Sequence, residues 1–154
     1  MLSRSEAIKD VFLAHGNEAI YITNTGYISR AVYDLFPDMK NIFYMQGSMG
    51  LAPCIGLGIA KSTNKEVVVL SGDGALLMHY GIVFNIEEEN LDNLYVYVLD
   101  NGCHESVGSY PCSELPLEIA GIDGIYSISK DGKCSRVGIE CEDNTKNIKE
   151  FING

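Results

Sequence analysis

Two short turns carry the residue types best suited to chemistry. Ser71-Gly72-Asp73-Gly74 closes one apolar run and Asp100-Asn101-Gly102 closes another, with twenty-six residues between Gly74 and Asn101. The Asp73 carboxylate and the Asn101 amide oxygen are hard donors, suited to a cation such as Mg²⁺, which takes six oxygens near ~2.1 Å. Glycines on both sides of Asp73 let backbone approach a ligand, and a helix starting at Ala75 would offer free N–H groups to a phosphate. Metal, phosphate and helix end would then meet at one point. A crossover helix of about 15 residues returns ~22 Å, and a six-residue strand climbs ~20 Å. Both turns therefore emerge at the same sheet edge, provided their strands are neighbours.

The elements that must position these turns follow from the apolar pattern. EVVVLS at 66–71 and LYVYVL at 94–99 are continuous runs rich in β-branched and aromatic residues, the pattern of parallel strands covered on both faces. Residues 75–89 are expected to cross between them as one helix. Upstream, the spacing predicts a helix over 4–15, a strand over 19–23, a helix over 28–36, a strand over 42–45 and a helix over 49–62. Gly56, Gly58 and Ala60 give that last helix a thin face. Residues 100–116 read as a long loop, followed by a short helix near 117–120, strands at 124–128 and 136–141, and a closing helix at 145–152. The fold class is α/β: a three-layer open parallel sheet with helices on both faces and a ligand crevice at the carboxyl ends of the strands.

A chain of 154 residues is expected to form one domain, 1–154, large enough to bury roughly 70% of its unfolded surface. Its net charge of −10 argues against nucleic acid as a partner and makes any anionic ligand depend on a metal ion or on directed N–H groups. The cysteines, Cys54, Cys103, Cys112, Cys134 and Cys141, are odd in number and form no CxxC pair, so neither a disulfide framework nor a zinc cage is expected. No apolar run reaches the ~18 residues of a membrane span, and MLSRSEAIKD is not a signal peptide, so a cytoplasmic location is expected. There is no GxGxxG after a first strand and no GxxxxGK[ST], which sets aside the common nucleotide-binding folds.

GDG followed by 26 residues and Asn resembles the cofactor signature of thiamine-diphosphate enzymes. Within that superfamily, NTGYISRAVYDLF, NIFYMQGSMGLAPCIGLGIA, VVVLSGDGALLMHYG and VLDNGCHESVG are similar to phosphonopyruvate decarboxylase and the related sulfopyruvate decarboxylase beta subunit. HESVG points toward the phosphonopyruvate member, with sulfopyruvate as the alternative. The resemblance implies that Asp73 and Asn101 bind Mg²⁺ by side chain and Cys103 by its backbone carbonyl. It also implies a cofactor site made of Thr25, Gly26, Gly47, Ser48, Met49, Gly72, Asp73, Gly74, Ala75 and Asn101. Here Gly47 faces the aminopyrimidine, Met49 props the bent cofactor, and Gly74 and Ala75 give N–H groups to the diphosphate. His104 and Glu105, just past the metal turn, are the candidate catalytic residues. The bland alternative for both is a solvated loop side chain. Arg30 is a candidate contact for an anionic head group, against the commoner fate of a surface salt bridge.

The glutamate that activates the cofactor in such enzymes comes from a second domain, which this sequence lacks. The resemblance therefore implies a partner subunit, a hetero-oligomer and an active site at an interface, acting on a small anionic 2-oxo acid. From the last residue of HESVG the chain reads Gly108-Ser109-Tyr110-Pro111-Cys112 where the family pattern is expected to have Gly-Gly-Gln or similar. That departure motivates the other alternative, a non-catalytic or regulatory cofactor-binding module.

Overall fold

The computed structural model describes residues 1–154. The first helix, α1 (Arg4–His15), is fixed at its start by a reciprocal capping box: the Glu6 N–H donates to Ser3 Oγ and the Ser3 N–H to Glu6 Oε2. There follow β1 (Ile20–Thr23), α2 (Tyr27–Leu35), β2 (Ile42–Tyr44), α3 (Ala52–Ala60), β3 (Val67–Gly72), α4 (Asp73–Met78), α5 (Ile82–Glu89) and β4 (Leu94–Asp100). Then come a small antiparallel pair, β5 (Cys103–His104) with β6 (Tyr110–Pro111), the strand β7 (Gly124–Ser127) and the helix α6 (Cys141–Asn153).

All five long strands run parallel in the order β2-β1-β3-β4-β7. Val68 and Leu70 of β3 face a core built with α1 and α2, while Val67 and Val69 face one built with α3, α5 and α6. Every β3 residue up to Ser71 is buried, which is why that segment has no polar alternation. The chain leaves β1 toward β2 on one side and returns to β3 on the other. The carboxyl ends of β1 and β3 thus flank the point where strand order reverses, the usual crevice for a ligand in an open α/β sheet.

The edge strand β2 is closed from outside by one side chain. Asn144 of α6 is buried; its Oδ1 accepts from the Tyr44 N–H at 2.9 Å and its Nδ2 donates to the Ile42 carbonyl at 2.7 Å. It does for β2 what a sixth strand would do. Asn144→Ala strands both backbone groups away from water, at a cost of about 1–3 kcal/mol each. Thermal unfolding followed by circular dichroism is expected to show a midpoint lower by at least about 4 °C, at roughly 2–4 °C per kcal/mol for a chain of this size.

The structure corrects several expected elements. The crossover is not one helix over 75–89: α4 ends at Met78 and α5 begins at Ile82. The Gly47–Gly50 turn packs against the α4 end so closely that a Cβ on Gly50 would lie 2.5 Å from the Ala75 carbonyl, and Gly81, a poor helix former, accompanies the break. The helix expected over 49–62 starts only at Ala52, because Ser48 and Gly50 take positive φ in that turn. Gly56 is the thin point of its face, where a Cβ would collide with Val69, whereas Gly58 is exposed and meets nothing.

No helix forms near 117–120, a stretch of four residues between Pro116 and Gly121 that is too short to nucleate one. Residues 136–139 form no strand. They cross α2 as an irregular strap, with Val137 and Ile139 packed on the α1/α2 core and Gln46 Nε2 donating to the Ile139 carbonyl at 2.8 Å. The closing helix begins at Cys141, four residues earlier than expected. No helix is long and apolar enough to cross a membrane.

Candidate functional site

β3 delivers Asp73 to the first position of α4, and the registers Ser71 to Val98 and Gly72 to Leu99 bring Asn101 alongside. The neighbouring strands that the spacing required are therefore present. Asp73 is 3% exposed, and its Oδ2 has no hydrogen-bond partner. Burial, above all, pushes its carboxyl up from the ordinary carboxylate range. The Asp100 charge pushes the same way, while the Gly74 N–H and the Cys112 thiol oppose it. A buried, unpartnered acid is costly unless it is neutralised or meets a cation. The chemistry of the donor set fits Mg²⁺ in part: Asp73 and the amide of Asn101 would each supply a hard oxygen, and the rest of the six would come from backbone, diphosphate or water.

Asn101 is held at both ends of its amide. Its Oδ1 accepts from the Cys103 N–H at 3.2 Å, and its Nδ2 donates to Glu105 Oε2 at 3.0 Å. Glu105 in turn has both oxygens engaged. Oε2 also meets Arg4 Nη2 at 2.5 Å, and Oε1 accepts from the Gly132 N–H at 2.8 Å. Arg4 is 2% exposed, so this is a buried ion pair joining α1 to the turn after β4. Nothing in the sequence marks Arg4: its partner lies far along the chain, and one arginine at the start of a helix reads as solvated.

The turn after β1 is tied to the one after β2. Asn24, buried, accepts the Gly50 N–H on its Oδ1 at 3.1 Å, and the Ser29 hydroxyl donates to the Asn24 carbonyl. Of the predicted site residues, all but Gly26, Gly47 and Ser48 line one narrow cavity of about 60 Å³. Met49 lines it together with Asp73 and Asn101. Gly47 and Ser48 are exposed beside an apolar groove with Leu51, Cys54 and Ile55, and Gly26 lines a separate cavity next to Thr25. Arg30, for which a surface salt bridge was the commoner expectation, makes none.

The β5–β6 loop folds down onto the start of α4. A Cβ on Gly74 would lie 2.7 Å from both His104 Nδ1 and Cys112 Sγ, so this position tolerates only glycine without the loop shifting. Burial first, and the Asp73 charge second, push the Cys112 thiol up to about 12. It stays protonated near neutral pH and is no nucleophile. Gly74→Ala is expected to lift His104 and Cys112 off the helix start while leaving the sheet intact. Titration calorimetry should then show affinity for thiamine diphosphate with Mg²⁺ reduced at least tenfold.

A parallel α/β sheet carrying a glycine-flanked acid at its switch point is a cofactor-binding architecture, and comparison with known proteins gives the class. Residues 24–115 match the family described as "Thiamine pyrophosphate enzyme, C-terminal TPP binding domain", and the chain belongs to that family. Every predicted site residue falls inside the matched stretch. Sulfopyruvate decarboxylase subunit beta of Methanothermobacter thermautotrophicus is 42% identical over 109 residues, 71% of this chain and 58% of that protein. The beta subunit of Methanococcus maripaludis is 33% identical, over 82% of this chain and 69% of its own length. Phosphonopyruvate decarboxylase of Streptomyces viridochromogenes is 39% identical over 69% of this chain but only 26% of its own length. The chain thus spans a little over half of the first of these proteins and about a quarter of the last. Among solved structures, a thiamin diphosphate-dependent enzyme from Mycobacterium smegmatis superposes with a TM-score of 0.57 at 20% identity, covering 75% of this chain and 24% of that one. That likeness is one of fold.

Proposed function

We propose that this chain holds the diphosphate and Mg²⁺ of thiamine diphosphate in a decarboxylase of an anionic 2-oxo acid, together with a partner subunit. The buried Asp73, with an unpartnered oxygen between two glycines and beside Asn101, is the observation that carries this reading. Asp73, Asn101 and the Cys103 carbonyl would hold the metal. The N–H groups of Gly74 and Ala75, at the start of α4, would meet the diphosphate. Bound thiamine diphosphate supplies an electron sink for the bond to the departing carboxylate.

The remaining roles belong to the chain's own residues. Met49, in the wall of the same cavity, supports the cofactor with its flexible thioether, and Gly47 offers a backbone carbonyl at the exposed turn. Glu105 is a positioning residue, since Arg4, Asn101 and Gly132 occupy its oxygens. His104, over Gly74, is left as the candidate proton donor or anion contact. The glutamate that faces the pyrimidine comes from the partner, in line with relatives named as beta subunits.

Sulfopyruvate is the first substrate to test, because the beta-subunit relatives share the larger part of their length with this chain. Phosphonopyruvate is the second, on the HESVG run and the Streptomyces relative. The chain and its partner, loaded with cofactor and Mg²⁺, are expected to release CO₂ from one of the two faster than from pyruvate. Cofactor binding without turnover of any 2-oxo acid would leave the non-catalytic module as the correct reading.

A further inference from the structure

Beside the cofactor cavity lies a second one of about 200 Å³, and Thr25 forms part of the wall of both. Gly26, Ser29, Arg30, Gln46 and Arg136 line it, and none of its lining residues is a carboxylate. In a chain of net charge −10, two arginines without an acid between them stand out. Neither enters an ion pair; the four that form use Arg4, His15, Lys61 and Lys146.

Structure around the cavity fixes the guanidinium of Arg30 and the backbone of Arg136, whose side chain is exposed. The Arg30 guanidinium lies 5.2 Å from the Tyr27 ring centroid, a contact that orients the fork without neutralising it. Arg136 opens the strap that Val137 and Ile139 pin to the core and that Gln46 anchors through the Ile139 carbonyl. The hydroxyl of Ser29 is already committed to Asn24 and the Gln46 amide donates to Ile139, which leaves the two arginines as the charged donors of this cavity.

We propose that Arg30 and Arg136 form an anion subsite that takes the sulfonate or phosphonate group of the substrate. The identity of the ligand rests on the decarboxylase reading above. A tetrahedral oxyanion presents paired oxygens that a guanidinium fork binds bidentately, and two forks meeting in one cavity select for a second anionic group that pyruvate lacks. Position agrees with this task, since the subsite and the cofactor cavity share Thr25 in their walls.

Titration calorimetry on the chain loaded with thiamine diphosphate and Mg²⁺, using sulfopyruvate, phosphonopyruvate and pyruvate as separate titrants, tests the proposal. One or both of the first two should bind at least tenfold more tightly than pyruvate, and their order separates sulfonate from phosphonate. Arg30→Gln and Arg136→Gln should each erase that preference, and Arg30→Lys should restore part of it. Equal binding of all three acids to the wild type overturns the subsite. So does an equal loss for all three in the variants, which marks a structural role. A loss of thiamine diphosphate affinity in Arg30→Gln overturns it as well, because the arginines then serve the cofactor. An arginine-dependent preference in a chain and partner that release no CO₂ keeps the subsite and removes the decarboxylase reading. CO₂ release from sulfopyruvate or phosphonopyruvate with KM unchanged by either substitution does the reverse.

Discussion

Asp73→Asn is expected to abolish the rise in unfolding temperature that thiamine diphosphate with Mg²⁺ gives the wild-type chain, and to raise the unfolding temperature of the ligand-free protein. The two effects share one cause. A ligand present at 100 times its dissociation constant adds ~2.7 kcal/mol, which at roughly 2–4 °C per kcal/mol is about 5–10 °C. The amide keeps an oxygen but loses the charge that holds a divalent cation, so that increment disappears. Without ligand, the wild-type protein carries a buried acid whose Oδ2 has no partner, a defect worth about 1–3 kcal/mol or more for a charged group. The amide removes that charge.

The pH dependence of the ligand-free chain has the same origin. Burial holds the Asp73 carboxyl above its ordinary value in the fold. The stability tied to its protonated form is complete below the unfolded carboxyl's pKa and is lost as pH rises through the higher folded one. The advantage of Asp73→Asn over wild type should therefore grow as pH rises through that window and vanish below it. Thermal scans from acid to neutral pH without metal check the sign.

Arg4→Met is expected to be the most destabilising single change near the site. The substitution keeps most of the apolar stem, so its effect reports the charge. Glu105 would be left nearly buried with its cation gone, a loss of about 3–5 kcal/mol for a broken buried pair, or at least about 6 °C in the unfolding midpoint. Asn101 would lose its anchor as well, because its Nδ2 rests on the same Glu105 oxygen that Arg4 holds. Cofactor affinity should fall together with stability. Adding Glu105→Gln to Arg4→Met should recover a large part of the stability, since a neutral amide tolerates the site without a cation. The double-mutant cycle measures this coupling directly. Additive losses would show that the pair contributes nothing beyond its separate packing.

The parts of this site that could be read from the sequence are those whose signal is local. Val67 to Gly72 declares a two-sided parallel strand by its unbroken β-branched run, and Asp73 and Asn101 inherit their places from the length of the segments between them. What could not be read depends on contacts distant in the chain. Arg4 and Glu105 lie 101 residues apart, and no periodicity links them. Asn144 looks like one more polar residue of an amphipathic helix until the helix is laid along β2. The strap at 136–139 has strand-like composition, but the chain docks it on α2 instead of a sheet edge, and only there does Arg136 come to line one cavity with Arg30. The break between α4 and α5 has one local mark, Gly81, inside a stretch whose pattern otherwise reads as a single helix. Its full cause, the approach of Gly50 to Ala75 and His79, is tertiary.

The central claim is that Asp73 and Asn101 use a divalent cation to hold a diphosphate on an acidic protein. The most direct test is titration calorimetry of thiamine diphosphate into the chain with Mg²⁺ and again in a metal chelator. Saturable one-to-one binding with Mg²⁺, lost in chelator and lost in Asp73→Asn, is the predicted result. Equal affinity with and without the metal, or wild-type affinity in Asp73→Asn, would contradict it.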